Sequence, residues 1–215
     1  MERILRFFPE NCRNWSFSIL ALLILSLVIA IGFAVAAGNW QSAFLAGATI
    51  LFILLPFVLS ERLNIYIPRV FSFALALFVY ATLFLGEANR FYYDVWWWDV
   101  MLHSGSAFAF GLIGLIMLML SLSKRVLTAK PILLSVFAFS FSLMIGVLWE
   151  IFEFAGDQLF GMDMQKDGHL DTMWDFIVNT VGALTAAIIS YFYLTPHTPS
   201  TPLDPVLEKV VEENS

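Results

Sequence analysis

The sequence predicts an all-α, polytopic membrane protein: a bundle of six transmembrane helices with both termini in the cytoplasm. Three observations predict it. Hydrophobic residues fill 60% of the 215 positions and charged residues only 13%, whereas a soluble domain is about half apolar and a quarter charged. The apolar residues gather into runs that match the roughly 17 to 25 helical residues needed to cross about 30 Å of hydrocarbon. The basic residues are distributed unevenly over the connections between those runs, and that asymmetry sets orientation.

The first span, Phe17 to Ala37, is a run of 21 residues. The preceding MERILRFFPENCRNW is basic enough for a signal peptide, and Ala34-Val35-Ala36 has the small-x-small form of a cleavage site. The run is nevertheless longer than the roughly 7 to 15 residues of a signal core, so it is read as a retained helix. The following spans are Ala43 to Ser60, Val70 to Gly86, Val100 to Leu122, Pro131 to Ala155, and Thr172 to Leu194. Residues 1–16 then form a cytoplasmic N-terminal segment, 17–194 the transmembrane domain, and 195–215 a cytoplasmic, Pro/Thr-rich acidic tail. Within that tail Pro196, Pro199, Pro202 and Pro205 recur every third residue, which suits an extended polyproline-like linker. His197 is read as solvated, and the closing VLEKVVEENS as a frayed turn or no structure.

With the N-terminus inside, cytoplasmic segments hold Arg3, Arg6, Arg13, Arg62, Arg69, Lys124, Arg125, Lys130 and Lys209, nine of the 11 Lys and Arg. Arg90 and Lys166 fall on the other side. The reading is therefore a multi-pass protein of the inner (plasma) membrane, with the connections Glu87 to Trp98 and Gly156 to Asp171 facing out. Trp40, Trp96, Trp97, Trp98 and Trp174 lie at the outer boundary and Trp15 at the inner one, as an interfacial aromatic belt requires; the Trp96 to Trp98 run is read as anchoring. One cysteine, Cys12, excludes an internal disulfide and a CxxC zinc site. The net charge of −6 combines the acidic tail with a local carboxylate cluster and does not imply a basic ligand. No repeat or phosphate loop is visible, membrane lipids are the expected surroundings, and no nucleic-acid partner is expected.

That cluster centres on Trp149 to Gly182, WEIFEFAGDQLFGMDMQKDGHLDTMWDFIVNTVG. Glu150, Glu153 and Asp157 are spaced by three and four residues, and Asp171, Asp175 and Asn179 by four each, so each trio shares one helix face. Asp99 and His103, four apart, open the fourth span in the same way. Capping explains part of this: Asp99 suits an N-cap, and Asp171-Thr172 precede Asp175 in a capping-box-like pattern. Capping does not reach Glu150, which lies about 10 Å further along its helix than Asp157. A carboxylate at that depth is disfavoured by about 2.5 kcal/mol unless paired, protonated or hydrated.

Asp99, Glu150, Glu153, Asp157, Asp171 and Asp175 face only His103, His169 and Lys166 as candidate counter-charges, so they must share protons or hold a cation. A histidine among carboxylates suits zinc, manganese, magnesium or calcium. The expected site therefore has Asp99, His103, Glu150 and Glu153 as ligands of a divalent cation. Glu150, Glu153 and Asp175 are the candidate catalytic groups, and Asp157, Asp171, Asn179 and His169 line the site. The bland alternative is a structural polar network in which His103 pairs with carboxylates and Asn179 bonds between helices. Ser104, Gly105, Ser106, Ala107, Gly111 and Gly182 allow close helix approach, a packing role in the first instance. Trp149 either walls the pocket or sits in the core.

Three fragments carry a resemblance: Asp99-x-x-x-His103, Glu150-x-x-Glu153, and Asp171-Thr-x-x-Asp175-x-x-x-Asn179-x-x-Gly182. In this order and topology they resemble the VanZ-like superfamily and, within it, the YjdF-type inner-membrane proteins. The resemblance covers Asp99 to Gly182 and implies a membrane fold with a site at these residues; it supplies no reaction.

Two functional classes fit. One is a membrane hydrolase or transferase acting on an amphipathic, lipid-linked substrate, with a cation polarising an ester or phosphoryl oxygen and a carboxylate activating water. The other is a proton- or cation-coupled transporter using the same acids as a relay. A site confined to one end of the helices favours the first. The topology is testable directly: alkaline phosphatase fused after Lys166 should be active and after Lys209 inactive, and the reverse pattern overturns the orientation.

Overall fold

A computed structural model describes residues 10–63, 66–123, 129–161, 164–165, 168–195 and 204–214. Among them all regular structure is helical, and six helices are long and apolar enough to cross a membrane. The chain divides into two compact units between Val95 and Trp96. The expectations for His197, for Lys166 and for most of the proline-rich linker fall outside the described residues.

In the first unit, α1 (Glu10–Ala36) and α2 (Trp40–Leu63) form a hairpin. Its turn passes through Gly38 at φ 71°, a left-handed conformation that glycine adopts without a Cβ penalty. Asn39 then caps α2, its Oδ1 accepting the Ser42 N–H at 3.0 Å. Next comes α3 (Arg69–Val79), which runs without a break into a π-helical stretch, Tyr80–Ala88. Leu27, Ala46, Ile53 and Ala76 form the core of this unit, and the hydroxyls of Ser26 and Tyr80 lie 3.0 Å apart where the π-helical stretch begins. The sequence predicted one ordinary helix from Val70 to Gly86. The wider winding instead ends at Asn89, whose side-chain amide donates to the Phe84 carbonyl at 2.7 Å, and the short α4 (Phe91–Asp94) brings the Tyr92 ring against Gly86.

The second unit is built on α5 (Trp98–Ser123), α6 (Pro131–Phe160) and α7 (His169–Leu194), each packed on the other two. Pro131 occupies the first turn of α6, where its missing N–H leaves no bond unmade. The helix ends at Gly161 in the left-handed conformation. Gly168 precedes α7 at φ 60°, so α7 begins three residues before Thr172, and Asp171 and Thr172 lie within its first turn instead of capping it.

The packing is close because α7 presents small residues. Its buried face is Asp175, Asn179, Gly182, Ala183, Ala186, Ala187 and Ser190, a single stripe at helical spacing. A Cβ on Gly182 would land on the Ser104 carbonyl oxygen and come within 3.0 Å of the Ala107 methyl. At Gly111 it would lie 2.5 Å from the Ala186 methyl. Ser142 fastens α6 to α5 by donating to the Ala107 carbonyl at 2.6 Å. On the outside, Phe33, Phe44, Leu133 and Val181 are exposed, a surface suited to lipid and costly in water.

Two further expectations are corrected. The end of the tail is a helix, α8 (Asp204–Asn214). Pro205 sits in its first turn, and Leu207, fully buried, packs with Leu115, Leu134 and Ala138; Val210, one turn on, is also buried. The three tryptophans Trp96 to Trp98 do not act alike: Trp96 is 86% exposed, whereas Trp98 is 8% exposed at the start of α5 and serves as core.

The glycine contacts predict a contrast. Gly182→Ala should destabilise by about 1–3 kcal/mol as an overpacked interior does, because the atom met is backbone. Gly105→Ala, with nothing within 4 Å of the added methyl, should leave the thermal melt of the detergent-solubilised protein unchanged. Equal melts for both variants would show that the α5–α7 seam is not tight.

Candidate cation site at the ends of α5, α6 and α7

α5 and α7 begin, and α6 ends, at the same end of the second unit. Asp99 and His103 come from the first turns of α5, Glu150 and Glu153 from the second half of α6, and Asp175 from the second turn of α7. The helical spacing seen in the sequence turns each pair inward, and the small-residue stripe lets the backbones come near enough for the side chains to meet.

They meet around the imidazole of His103. Its Nε2 lies 3.5 Å from Asp99 Oδ1 and 3.8 Å from Asp175 Oδ1, and its Nδ1 lies 3.9 Å from Glu150 Oε1. Asp99, His103 and Asp175 place one ligand atom each within 4.8 Å of one another, and so do Glu150, Glu153 and Asp175. Such separations suit a shared ion, since two ligands about 2.1 Å from a tetrahedral cation sit roughly 3.4 Å apart.

Burial makes the arrangement consequential. Glu150 is 3% exposed, and neither carboxylate oxygen has a hydrogen-bond partner. The Thr172 side chain approaches it without reaching bonding geometry; that hydroxyl accepts from Gln165 Nε2 at 2.7 Å. Glu153 is better provided for, its Oε1 accepting the Trp149 indole N–H at 2.9 Å. Asn179, also 3% exposed, has a buried amide nitrogen with no partner, lying 3.0 Å from where a Cβ on Gly146 would stand. α5, α6 and α7 contain no Lys or Arg, so the cluster itself sets the carboxylates of Asp99, Glu150, Glu153 and Asp175 against the His103 imidazole.

The other sequence-predicted residues occupy different positions. Asp171 is half-buried and adds negative charge beside Glu150. Asp157 faces the α6–α7 connection: its Oδ1 accepts the Met164 N–H at 2.8 Å and its Oδ2 the Gln165 N–H at 2.9 Å. His169, the first residue of α7, is exposed and outside both ligand groups. The sequence reading did not single out Gly146, Gln165 or the Ser142 bond to Ala107. Gly146 carried a signal, lying one turn before Glu150 on the same face, but a glycine in an apolar helix is common enough to hide it.

Residues 18–196 match the family described as "Predicted membrane protein (DUF2238)". The chain belongs to this family. The DUF2238 match takes in all six apolar helices and every residue of the cluster, and it stops short of α8. A Thermotoga maritima protein named "Uncharacterized protein" is 29% identical over 136 residues, which is 63% of this chain and 69% of that relative. No solved structure matches the chain. Membership in the DUF2238 family and the six apolar helices together make this an integral, multi-pass membrane protein in contact with lipid.

The Asp157 geometry yields a prediction separate from the cluster. Asp157→Ala removes two charge-assisted acceptors of backbone N–H groups and should destabilise by roughly 2 kcal/mol, with faster proteolysis in the α6–α7 connection. Unchanged melting and cleavage would show that the clamp contributes nothing to the hairpin.

Proposed function

We propose that the protein is a divalent-cation-dependent hydrolase or transferase acting on an amphipathic, lipid-linked substrate at the outer leaflet of the inner membrane. The observation that carries this reading is Glu150: a carboxylate almost wholly buried, with neither oxygen in a hydrogen bond, in reach of His103 and two further acids. A structural network would leave its buried polar atoms satisfied. A group held ready for a ligand would not.

The residues divide by chemistry. His103 and Asp99 supply a nitrogen and a hard oxygen for the cation, and Glu150 and Glu153 add further oxygens. The cation supplies Lewis acidity towards an ester or phosphoryl oxygen. A carboxylate that is not fully engaged in ligation, from Glu150, Glu153 or Asp175, takes the proton of the attacking water. The VanZ-like resemblance of Asp99 to Gly182 falls on these same helices and supports a site here. A site at the membrane-boundary end of the helices would leave the tails of an amphipathic molecule in lipid while its polar part reaches the acids.

Coupled transport is the competing reading, since buried acids also serve as relays. A relay needs polar groups along the remaining length of the helices. In the second unit those groups are hydroxyls turned back onto backbone: Ser135 to the Pro131 carbonyl, Thr185 to Val181 and Ser190 to Ala186, with Ser142 bonded to Ala107. Among the described residues these four hydroxyls are engaged by backbone and offer no continuous polar track, which favours catalysis or binding at one end.

Purified protein should carry a divalent cation at neutral pH and melt at lower temperature in chelator, as any ligand specific to the folded state requires. Glu150→Gln should abolish turnover of a lipid-linked ester or phosphoester in proteoliposomes while the fold, read by circular dichroism, persists. A variant altered only in ion flux would establish transport instead, and metal-free protein indifferent to chelator would overturn the cation site.

A further inference from the structure

We infer that the cluster binds two divalent cations, with the Asp175 carboxylate bridging them. This rests on the reading that the cluster is a cation site and goes beyond it in stoichiometry and in the role of Asp175.

The ligand atoms form two groups with one member in common. Asp99, His103 and Asp175 make the first, and Glu150, Glu153 and Asp175 the second. Each offers three protein ligands, which is the number that leaves an ion open to water or substrate. A carboxylate has two oxygens, so Asp175, alone in both groups, can give one to each ion. That arrangement holds ions about 3.5–4 Å apart, the spacing of two-metal sites.

The imidazole fits the same division. Its Nε2 faces Asp99 and Asp175, the first group, and its Nδ1 faces Glu150, a member of the second. With Nε2 on the first ion, the Nδ1–H remains to orient Glu150, the usual arrangement in which a ligating histidine donates its other N–H to a carboxylate. One residue thereby couples the two halves.

Charge agrees. Asp99, Glu150, Glu153 and Asp175 carry up to four negative charges on helices that contain no Lys or Arg. A single divalent ion would leave two of these uncompensated in a buried place, and two ions balance all four. Independent of the acids, the Asn179 amide nitrogen is buried and unpartnered one turn beyond Asp175 on the same face. It lacks an acceptor, and an oxygen ligand carried by the ion pair would provide one.

Manganese(II) is the probe, because paired and isolated ions differ in their electron paramagnetic resonance spectra. Metal-stripped full-length protein titrated with Mn2+ should bind two equivalents and give the spectrum of a magnetically coupled pair. Asp99→Asn and Glu153→Gln should each reduce the count to one uncoupled ion, and Asp175→Asn should abolish the coupling, with circular dichroism confirming the fold of each variant. One uncoupled ion in the unaltered protein overturns the two-ion inference and leaves the cation site standing. Two uncoupled ions overturn the bridging role of Asp175. No binding at millimolar Mn2+, with no thermal shift, overturns both the inference and the reading beneath it. The unaltered protein decides the matter even if a variant does not fold.

Discussion

The close approach of α5 to α7 is the constraint on which the second unit depends. Lipid gives apolar side chains little reason to prefer one another, so helices in a membrane associate through tight van der Waals contact and short-range polar bonds. Here Gly182 lies beneath the Ser104 carbonyl and Gly111 faces Ala186, while Ser142 ties α6 to the same part of α5. This register fixes what stands opposite what. Moving α7 by one residue would swing Asp175 by about 100° around its axis and away from His103. The positions of the acids follow from glycines and alanines that touch none of them.

Against that mechanical constraint stands an electrostatic one. Repulsion among four carboxylates resists assembling them, and burial raises the cost by withdrawing water. Within the cluster a single imidazole, that of His103, stands against it. Part of the strain is met locally, by the Trp149 N–H on Glu153. Asp157, seven residues beyond Glu150, avoids it altogether by turning to the backbone of the α6–α7 connection. The acids of α6 thus serve two ends: Asp157 closes the hairpin, while Glu150 faces the imidazole and Glu153 lies beside Glu150 and Asp175.

Much of this was legible in the sequence. Six apolar runs give six apolar helices, and acids interrupting such runs at spacings of three and four residues identify the helix faces that converge on His103. What sequence reasoning could not supply is what each side chain does on arrival. Asp157 shares a helical face with Glu150, but the backbone N–H groups it binds belong to a connection whose path periodicity does not encode. α8 was hidden by the prolines before it, although Leu207 and Val210, three apart, carry a helical signal once a surface exists to receive them. The π-helical winding of Tyr80–Ala88 has no compositional mark at all. Trp98 shows the same limit: three consecutive tryptophans look alike in sequence, and only the start of α5 decides that the third turns inward.

The placement of the acids near helix ends bears on how such a protein is made. A helix entering the bilayer alone has no partner to neutralise its charges, and each carboxylate at its centre would weigh against insertion by some kilocalories per mole. Asp99, Asp171 and Asp175 lie in the first turns of their helices and Glu153 in the last third of its own, where a nascent segment can keep them at the watery boundary. Glu150 is the exception, and α6, which carries it, is the longest of the three helices at 30 residues. Biogenesis can then proceed in two stages, with each helix partitioning singly and its acids still hydrated, and with the cluster drying out only as the glycine seam closes.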